Sequence, residues 1–214
     1  MIKISASILS ADFLKLGEDL ERVEHSGCDA IHIDVTDGHF VPNLTMGICV
    51  AEAVCKKTGL RKDVHLMISR PQDFIQKFAD AGADLIVFHA EATAHPFEMI
   101  KYIRETGKLI GVALDPGTRV EEIAHYLHAV DVVILVAVCV GFGGQQYIAE
   151  TDRKIVALDR IRRENKLKFE IQVDGGINAE NALEKYKLGA DTVIAGSMVF
   201  NSNNIYDLIK RIKI

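Results

Sequence analysis

The residues best suited to chemistry are two histidines and two aspartates, spread over three apolar stretches of the chain. In "IHIDVTDG" (31–38), His32 and Asp34 stand two apart, so on a strand they share one face, together with Thr36, while Ile31, Ile33 and Val35 take the other. "DVHLMI" (63–68) offers His65 with Met67 on the same face, and "QVDGG" ends in Asp174. Singly, each is ordinary: a strand histidine is commonly a hydrogen-bonded core residue, and an aspartate at a strand end is commonly a turn former or helix cap. Brought together, two imidazoles and two carboxylates suit a divalent cation of borderline hardness, such as Zn, Fe(II), Mn or Co. A buried carboxylate needs a cation or several donors to stay ionised.

A second group of residues suits an anion. "GFGGQ" (141–145), "DGG" (174–176) and "AGS" (195–197) each follow an apolar run. They present backbone N–H groups with little side-chain obstruction, a usual way to hold phosphate. Any one of them alone reads as an ordinary turn. His89 and Glu91 in "FHAEA" alternate onto one face and read either as support for a neighbouring site or as a simple hydrogen-bonded pair.

The elements that must position these groups alternate along the chain. Short β-rich runs occur near 4–9, 30–35, 62–67, 84–89, 109–114, 131–138, 169–173 and 192–195, several apolar almost throughout, as in "VDVVILVAV". Between them lie amphipathic stretches such as "LGEDLERVEHSG", "PQDFIQKFADAG", "HPFEMIKYIRETG" and "AENALEKYKLGA", which end at or near Gly. Continuous apolar strands joined by helices imply a parallel sheet covered by helices. Eight such strands predict an α/β fold, a (β/α)8 TIM barrel forming one domain over 1–214. The doubly wound open sheet would use fewer strands and a Gly-rich first turn, and no GxGxxG follows the first run here. In a barrel, the C-terminal strand ends carry the chemistry, and His32, Asp34, His65 and Asp174 all fall at such ends.

The totals narrow the function. The chain has 214 residues, 49% of them hydrophobic, and a net charge of −5; its mean hydropathy is +0.13. Without a Lys/Arg block, nucleic acid and anionic membrane are excluded as expected partners. No apolar run approaches the length of a membrane span, and Asp12 interrupts the apolar N-terminal stretch too early for a signal sequence. Cysteines 28, 49, 55 and 139 form neither a zinc knuckle nor a disulfide framework, which predicts reduced thiols and a cytoplasmic protein.

"SILSAD", "HIDVTDGHFVPNLTMG", "DVHLMI", "GVALDPGT", "GFGGQ", "VDGGIN" and "AGSMVF" together resemble the ribulose-phosphate 3-epimerase family, in that family's order and over nearly the whole chain. The resemblance implies a (β/α)8 barrel with one divalent metal per subunit, held by His32, Asp34, His65 and Asp174. It implies interconversion of D-ribulose 5-phosphate and D-xylulose 5-phosphate through an enediolate. Asp34 and Asp174 would be the acid/base pair, with Asp34 the base and Asp174 the acid toward xylulose. Ser7, His65 and Met67 would contact the sugar. Gly141, Phe142, Gly143, Gly144, Gly175, Gly176, Gly196 and Ser197 would hold the phosphate. A homo-oligomer, dimer or larger, is implied by the same analogy.

The chain departs from the family pattern where Thr36 replaces a usual Met, and where Val136, Ala137, Cys139 and Val140 replace Met, Ser, Asn and Pro. Smaller side chains there leave a related ketose phosphate, such as D-allulose 6-phosphate, as an alternative substrate. A non-catalytic phosphosugar-binding protein is the alternative from another class. A Schiff-base aldolase is disfavoured because Lys108 and Lys168 lie only at strand starts.

Overall fold

The computed structural model describes residues 1–213. Eight strands run in parallel and close on themselves in sequence order, β1 through β8. They are β1 (Lys3–Ser7), β2 (Ala30–Thr36), β3 (Arg61–Met67), β4 (Leu85–His89), β5 (Leu109–Leu114), β6 (Val132–Val136), β7 (Glu170–Asp174) and β8 (Thr192–Ala195). The helices are α1 (Leu16–Glu24), α2 (Ile48–Lys57), α3 (Ile75–Asp80), α4 (Pro96–Glu105), α5 (Thr151–Glu164), α6 (Ala182–Leu188), α7 (Ser197–Phe200) and α8 (Ile205–Ile212). This is the (β/α)8 barrel expected from the alternation.

The local reasons are plain in the sequence. β6 is buried along its whole length, which is why it reads as continuous apolar chain, whereas in β2, equally buried, the polar His32, Asp34 and Thr36 alternate with the apolar residues. In α4, Pro96 begins the first turn, where its missing N–H costs nothing, and Met99, Ile100 and Ile103 form the buried stripe. α5 places Asp152 in its first turn and Arg162 and Arg163 in its last, matching the helix dipole.

Some boundaries differ from the sequence expectation. β1 stops at Ser7, and Ile8–Ser10 turn as a 3-10 helix. β6 stops at Val136; beyond it, Ala137 turns its carbonyl to the Ile148 N–H. The stretch "PQDFIQKFADAG" divides into a 3-10 turn (Pro71–Asp73) and the short α3. Between β5 and β6 the chain makes two 3-10 segments, Val120–Glu122 and Ala124–Ala129, where the regular pattern would have an α-helix.

The ladder registers, followed with a stagger of about one residue per strand, stack the inward side chains in layers of four. From the bottom these are Ala30, Leu85, Val132 and Thr192; then Ser5, Asp63, Gly111 and Gln172; then His32, Val87, Ile134 and Ile194; then Ser7, His65, Ala113 and Asp174. Asp34, His89, Val136 and Gly196 lie at the mouth. The interior is therefore lopsided. Leu85, Val87, Ala113, Val132, Ile134, Val136 and Ile194 pack as one apolar cluster, mostly from β4, β5 and β6. The polar side chains come mostly from β1, β2, β3 and β7, with His89 of β4 and Thr192 of β8 besides.

Among the described residues, no helix is long and apolar enough to cross a membrane. All four cysteines are unpaired.

Candidate active site

The upper layers bring together the four residues singled out by type. His32 Nε2 and His65 Nδ1 are 3.2 Å apart, and each lies 3.2 Å from Asp34 Oδ1. Asp174 Oδ2 is 3.9 Å from both nitrogens. Two-residue spacing on β2 stacks His32 beneath Asp34. The β2–β3 register sets Asp34 beside His65, and β7 delivers Asp174 from the other side of the barrel.

These spacings fit a metal. Ligand atoms about 2.0–2.2 Å from one cation lie roughly 3 Å apart at right angles and roughly 3.5 Å apart at the tetrahedral angle. Each residue contributes one ligand atom to a group converging within 4.8 Å. The donor set of two imidazoles and two carboxylates is of the right chemistry for Zn, Fe(II), Mn or Co. Among the described residues, no lysine or arginine pairs with Asp34 or Asp174. His32 Nδ1, on the far side of its ring, is buried without a hydrogen-bond partner, so the ring is engaged only at Nε2, toward the cluster.

Crowding separates the proton affinities of the four groups. Burial would raise Asp34, but His32 and His65 outweigh it and hold this carboxyl far below the usual range. Burial pushes Asp174 up to about 7, and the charge on Asp34 adds to it. Burial works against charge on His32, yet Asp34, with Asp174 and Asp63 behind it, raises this imidazole to about 9. Burial, with His89 and His32 close by, holds His65 down at about 4.

A cavity of about 330 Å³ opens above the cluster, lined by Ser7, Asp34, Met67 and Asp174 together with all the glycine-loop residues of the sequence expectation. Ser7 Oγ also donates to Asp34 Oδ2 at 2.8 Å. His32 is fully buried beneath, outside the cavity lining. His65 also stays outside the lining and meets the cavity through Asp34. Phe142 lines the cavity with its ring half exposed.

The glycines have steric reasons to be there. Gly176 has φ of +66°, and a Cβ there would sit 2.4 Å from the Tyr147 backbone nitrogen. A Cβ on Gly196 would sit 2.4 Å from Ser10 Oγ. The loop after β6 is pinned by Asn43 Nδ2, which donates to the Gly141 carbonyl at 2.6 Å, and by Gln145 Nε2, which donates to the Cys139 and Phe142 carbonyls.

Sequence reasoning missed several lining residues, among them Ser10, Tyr147, Asn178 and Asn181. Ser10 and Asn178 lie within the quoted motifs "SILSAD" and "VDGGIN", which was the available signal. Of the departures from pattern, Val136 and Val140 line the cavity. Thr36 lies outside the lining and bonds Thr45 through its N–H and hydroxyl.

Residues 3–200 match the model of the ribulose-phosphate 3 epimerase family. The chain belongs to the ribulose-phosphate 3-epimerase family. It is 45% identical over 214 residues to ribulose-phosphate 3-epimerase of Bacillus subtilis (strain 168), covering 100% of this chain and 99% of that one. It is 42% identical to the chloroplastic ribulose-5-phosphate-3-epimerase of Arabidopsis thaliana, over 99% of this chain and 76% of that one. Among solved structures, KGPDC from Streptococcus mutans superposes with a TM-score of 0.71 at 16% identity, over 100% of this chain and 98% of that one. A tryptophan synthase alpha-subunit mutant from Pyrococcus furiosus also gives 0.71, at 14% identity over 99% and 96%. These two share the fold with the epimerase family; the likeness shows nothing further.

Proposed function

We propose that this chain is a metal-dependent isomerase that interconverts D-ribulose 5-phosphate and D-xylulose 5-phosphate by moving a proton at C3. The observation that carries the reading is that Asp34, from β2, and Asp174, from β7, line one cavity from different sides of the barrel. Inverting a carbon requires a base on one face and an acid on the other. Two carboxylates reaching the cavity from separate strands supply that pair.

When bound by His32, Asp34, His65 and Asp174, a divalent cation (Zn, Fe(II), Mn or Co) would act as a Lewis acid toward the ketone oxygen and its neighbouring hydroxyl. Asp34 takes the C3 proton on one face. Asp174 returns a proton on the other, and the roles exchange in reverse. Ser7 Oγ, bonded to Asp34 Oδ2, fixes the direction of the base. Met67, Val136, Val138 and Ile194 form an apolar wall beside the carboxylates, which keeps bulk water from the stripped carbon. The backbone of Gly141, Gly143 and Gly144, with Gly175, Gly176, Gly196 and Ser197, receives the phosphate on the β6, β7 and β8 rim. The same reading makes the protein a cytoplasmic homo-oligomer, dimer or larger, for which light scattering is the check.

The test is proton NMR in D2O with D-ribulose 5-phosphate and the protein loaded in turn with each metal. Deuterium at C3 with xylulose 5-phosphate appearing is the expected result. Exchange seen only with D-allulose 6-phosphate would move the substrate to a hexulose phosphate, for which the smaller Val136 leaves room. Binding of both sugars without any exchange would overturn the enzyme reading in favour of a phosphosugar-binding protein.

A further inference from the structure

His89 touches no cavity surface and takes no part in the proton transfer above, yet it is fully buried at the C-terminal end of β4. Its ring lies edge to edge with that of His65, with centroids 4.9 Å apart and planes 14° from parallel. His89 Nε2 is 2.9 Å from His65 Nε2. On the other side, His89 Nδ1 hydrogen-bonds Glu91 Oε2 at 3.1 Å, with Asp115 Oδ1 at 3.0 Å. The Phe40 ring covers it with centroids 5.0 Å apart. Glu91 is itself held, its Oε1 accepting from the Asp115 N–H at 2.9 Å, and the main-chain carbonyl of Asp115 accepts from Lys154 Nζ at 2.8 Å.

Only one arrangement of hydrogens satisfies this chain while leaving His65 free to ligate. Carboxylate oxygens accept only, so the hydrogen of His89 lies on Nδ1. Its Nε2 then presents a lone pair to His65 Nε2. His65 must donate there, which puts its own lone pair on Nδ1, the nitrogen facing His32, Asp34 and Asp174. We propose that His89, held by Glu91 and Asp115, is a positioning residue that fixes the tautomer and ring plane of His65 so that its Nδ1 points at the metal. The inference rests on the metal reading of the four-residue cluster and adds to it a line of three residues that act through His65. A ligand imidazole whose outer N–H is fixed in this way binds its metal more tightly and in one orientation. His89, Glu91 and Asp115 do not form a second cation site in this account, because their convergence is occupied by the His89 N–H.

The experiment is Co(II) titration of the metal-free full chain, read by visible absorption and by the number of equivalents bound. Three proteins are compared: the parent, His89→Phe, which keeps an aromatic ring and loses the acceptor, and His89→Gln, whose amide oxygen accepts from His65. Glu91→Gln is the milder companion should His89→Phe fail to fold by circular dichroism. The expected result is one equivalent in the parent, affinity about 10–100-fold weaker with an altered cobalt spectrum in His89→Phe, and partial recovery of both in His89→Gln. Nitrogen-15 NMR of the zinc-loaded parent should show the His65 hydrogen on Nε2 and the His89 hydrogen on Nδ1. A merely structural His89 would lower thermal stability while leaving affinity and spectrum within twofold of the parent, and that result overturns the proposal. Two equivalents of Co(II), the second lost in His89→Phe, would also overturn it by making the trio a metal site. A parent that binds no cobalt removes the metal reading itself, and this inference with it.

Discussion

The two ends of the barrel interior hold charged clusters of similar size that solve the problem of buried charge in opposite ways. At the bottom, Arg61 forks onto Asp63, with Nε to Oδ1 and Nη2 to Oδ2 both 2.8 Å. It also reaches Glu170 at 3.2 Å, and Lys3, Thr192 and Gln172 complete that carboxylate's bonds. Every carboxylate there has a protein cation beside it. At the top, Asp34 and Asp174 face two imidazoles and no lysine or arginine. Burial in the low dielectric penalises both clusters alike, so what differs is the source of the compensating charge. The bottom is self-neutralised and belongs to stability. The top holds the four-residue cluster to which the proposed metal is assigned.

The largest effect should come from breaking the top. Asp34→Asn or Asp174→Asn is expected to lower C3 proton exchange by about 10⁴-fold, about 5 kcal/mol in the barrier, with circular dichroism unchanged. Exchange within tenfold of the parent in either variant would remove that residue from the acid/base pair. Next, restoring saturating metal to chelated protein should stabilise it by about 4 kcal/mol when the metal is at about a thousand times its Kd, read as a rise in Tm. The same addition to His32→Ala should give little.

Breaking the bottom should do the reverse. Arg61→Met leaves Asp63 and Glu170 without their shared cation, and should cost about 3 kcal/mol of stability in urea unfolding while metal affinity stays within twofold. The smallest effect is one of pH. Burial would raise Glu170, but Arg61 and Thr192 bring its pKa down to about 2 from a reference value of 4.5. A carboxylate depressed on folding stabilises the fold above its unfolded pKa and loses that contribution as pH falls through its folded one. The contribution of Glu170 is therefore complete above about pH 5 and fades from there toward pH 2. Arg61→Met should flatten the stability slope within that window. An unchanged slope would mean that the guanidinium does not set the Glu170 shift.

How far the sequence foretells each end follows from the same contrast. The barrel was legible because strands such as β4, β6 and β8 are buried throughout and read as apolar runs of strand length, and the four cluster residues because their types interrupt or end such runs. Strand ends were less legible: Ile8 is as apolar as any strand residue, but the chain already turns there. The supports of the site were least so. Asp115 reaches His89 only through the β4–β5 pairing, and Asn43 meets Gly141 across 98 residues of chain. Such contacts are set by closure of the barrel and leave no local pattern. His89 and Glu91 were visible as a pair sharing a face, but their role depends on His65, which the β3–β4 register brings alongside.

The claim that one end of the barrel awaits a cation while the other does not is tested most directly by calorimetric titration of the metal-free protein with Zn(II). Three proteins suffice: the parent, Asp34→Asn and Arg61→Met. The account predicts one equivalent bound in the parent, the same in Arg61→Met, and affinity lowered by at least about 100-fold in Asp34→Asn. Binding that survives Asp34→Asn intact, or that disappears with Arg61→Met in a folded protein, would contradict it.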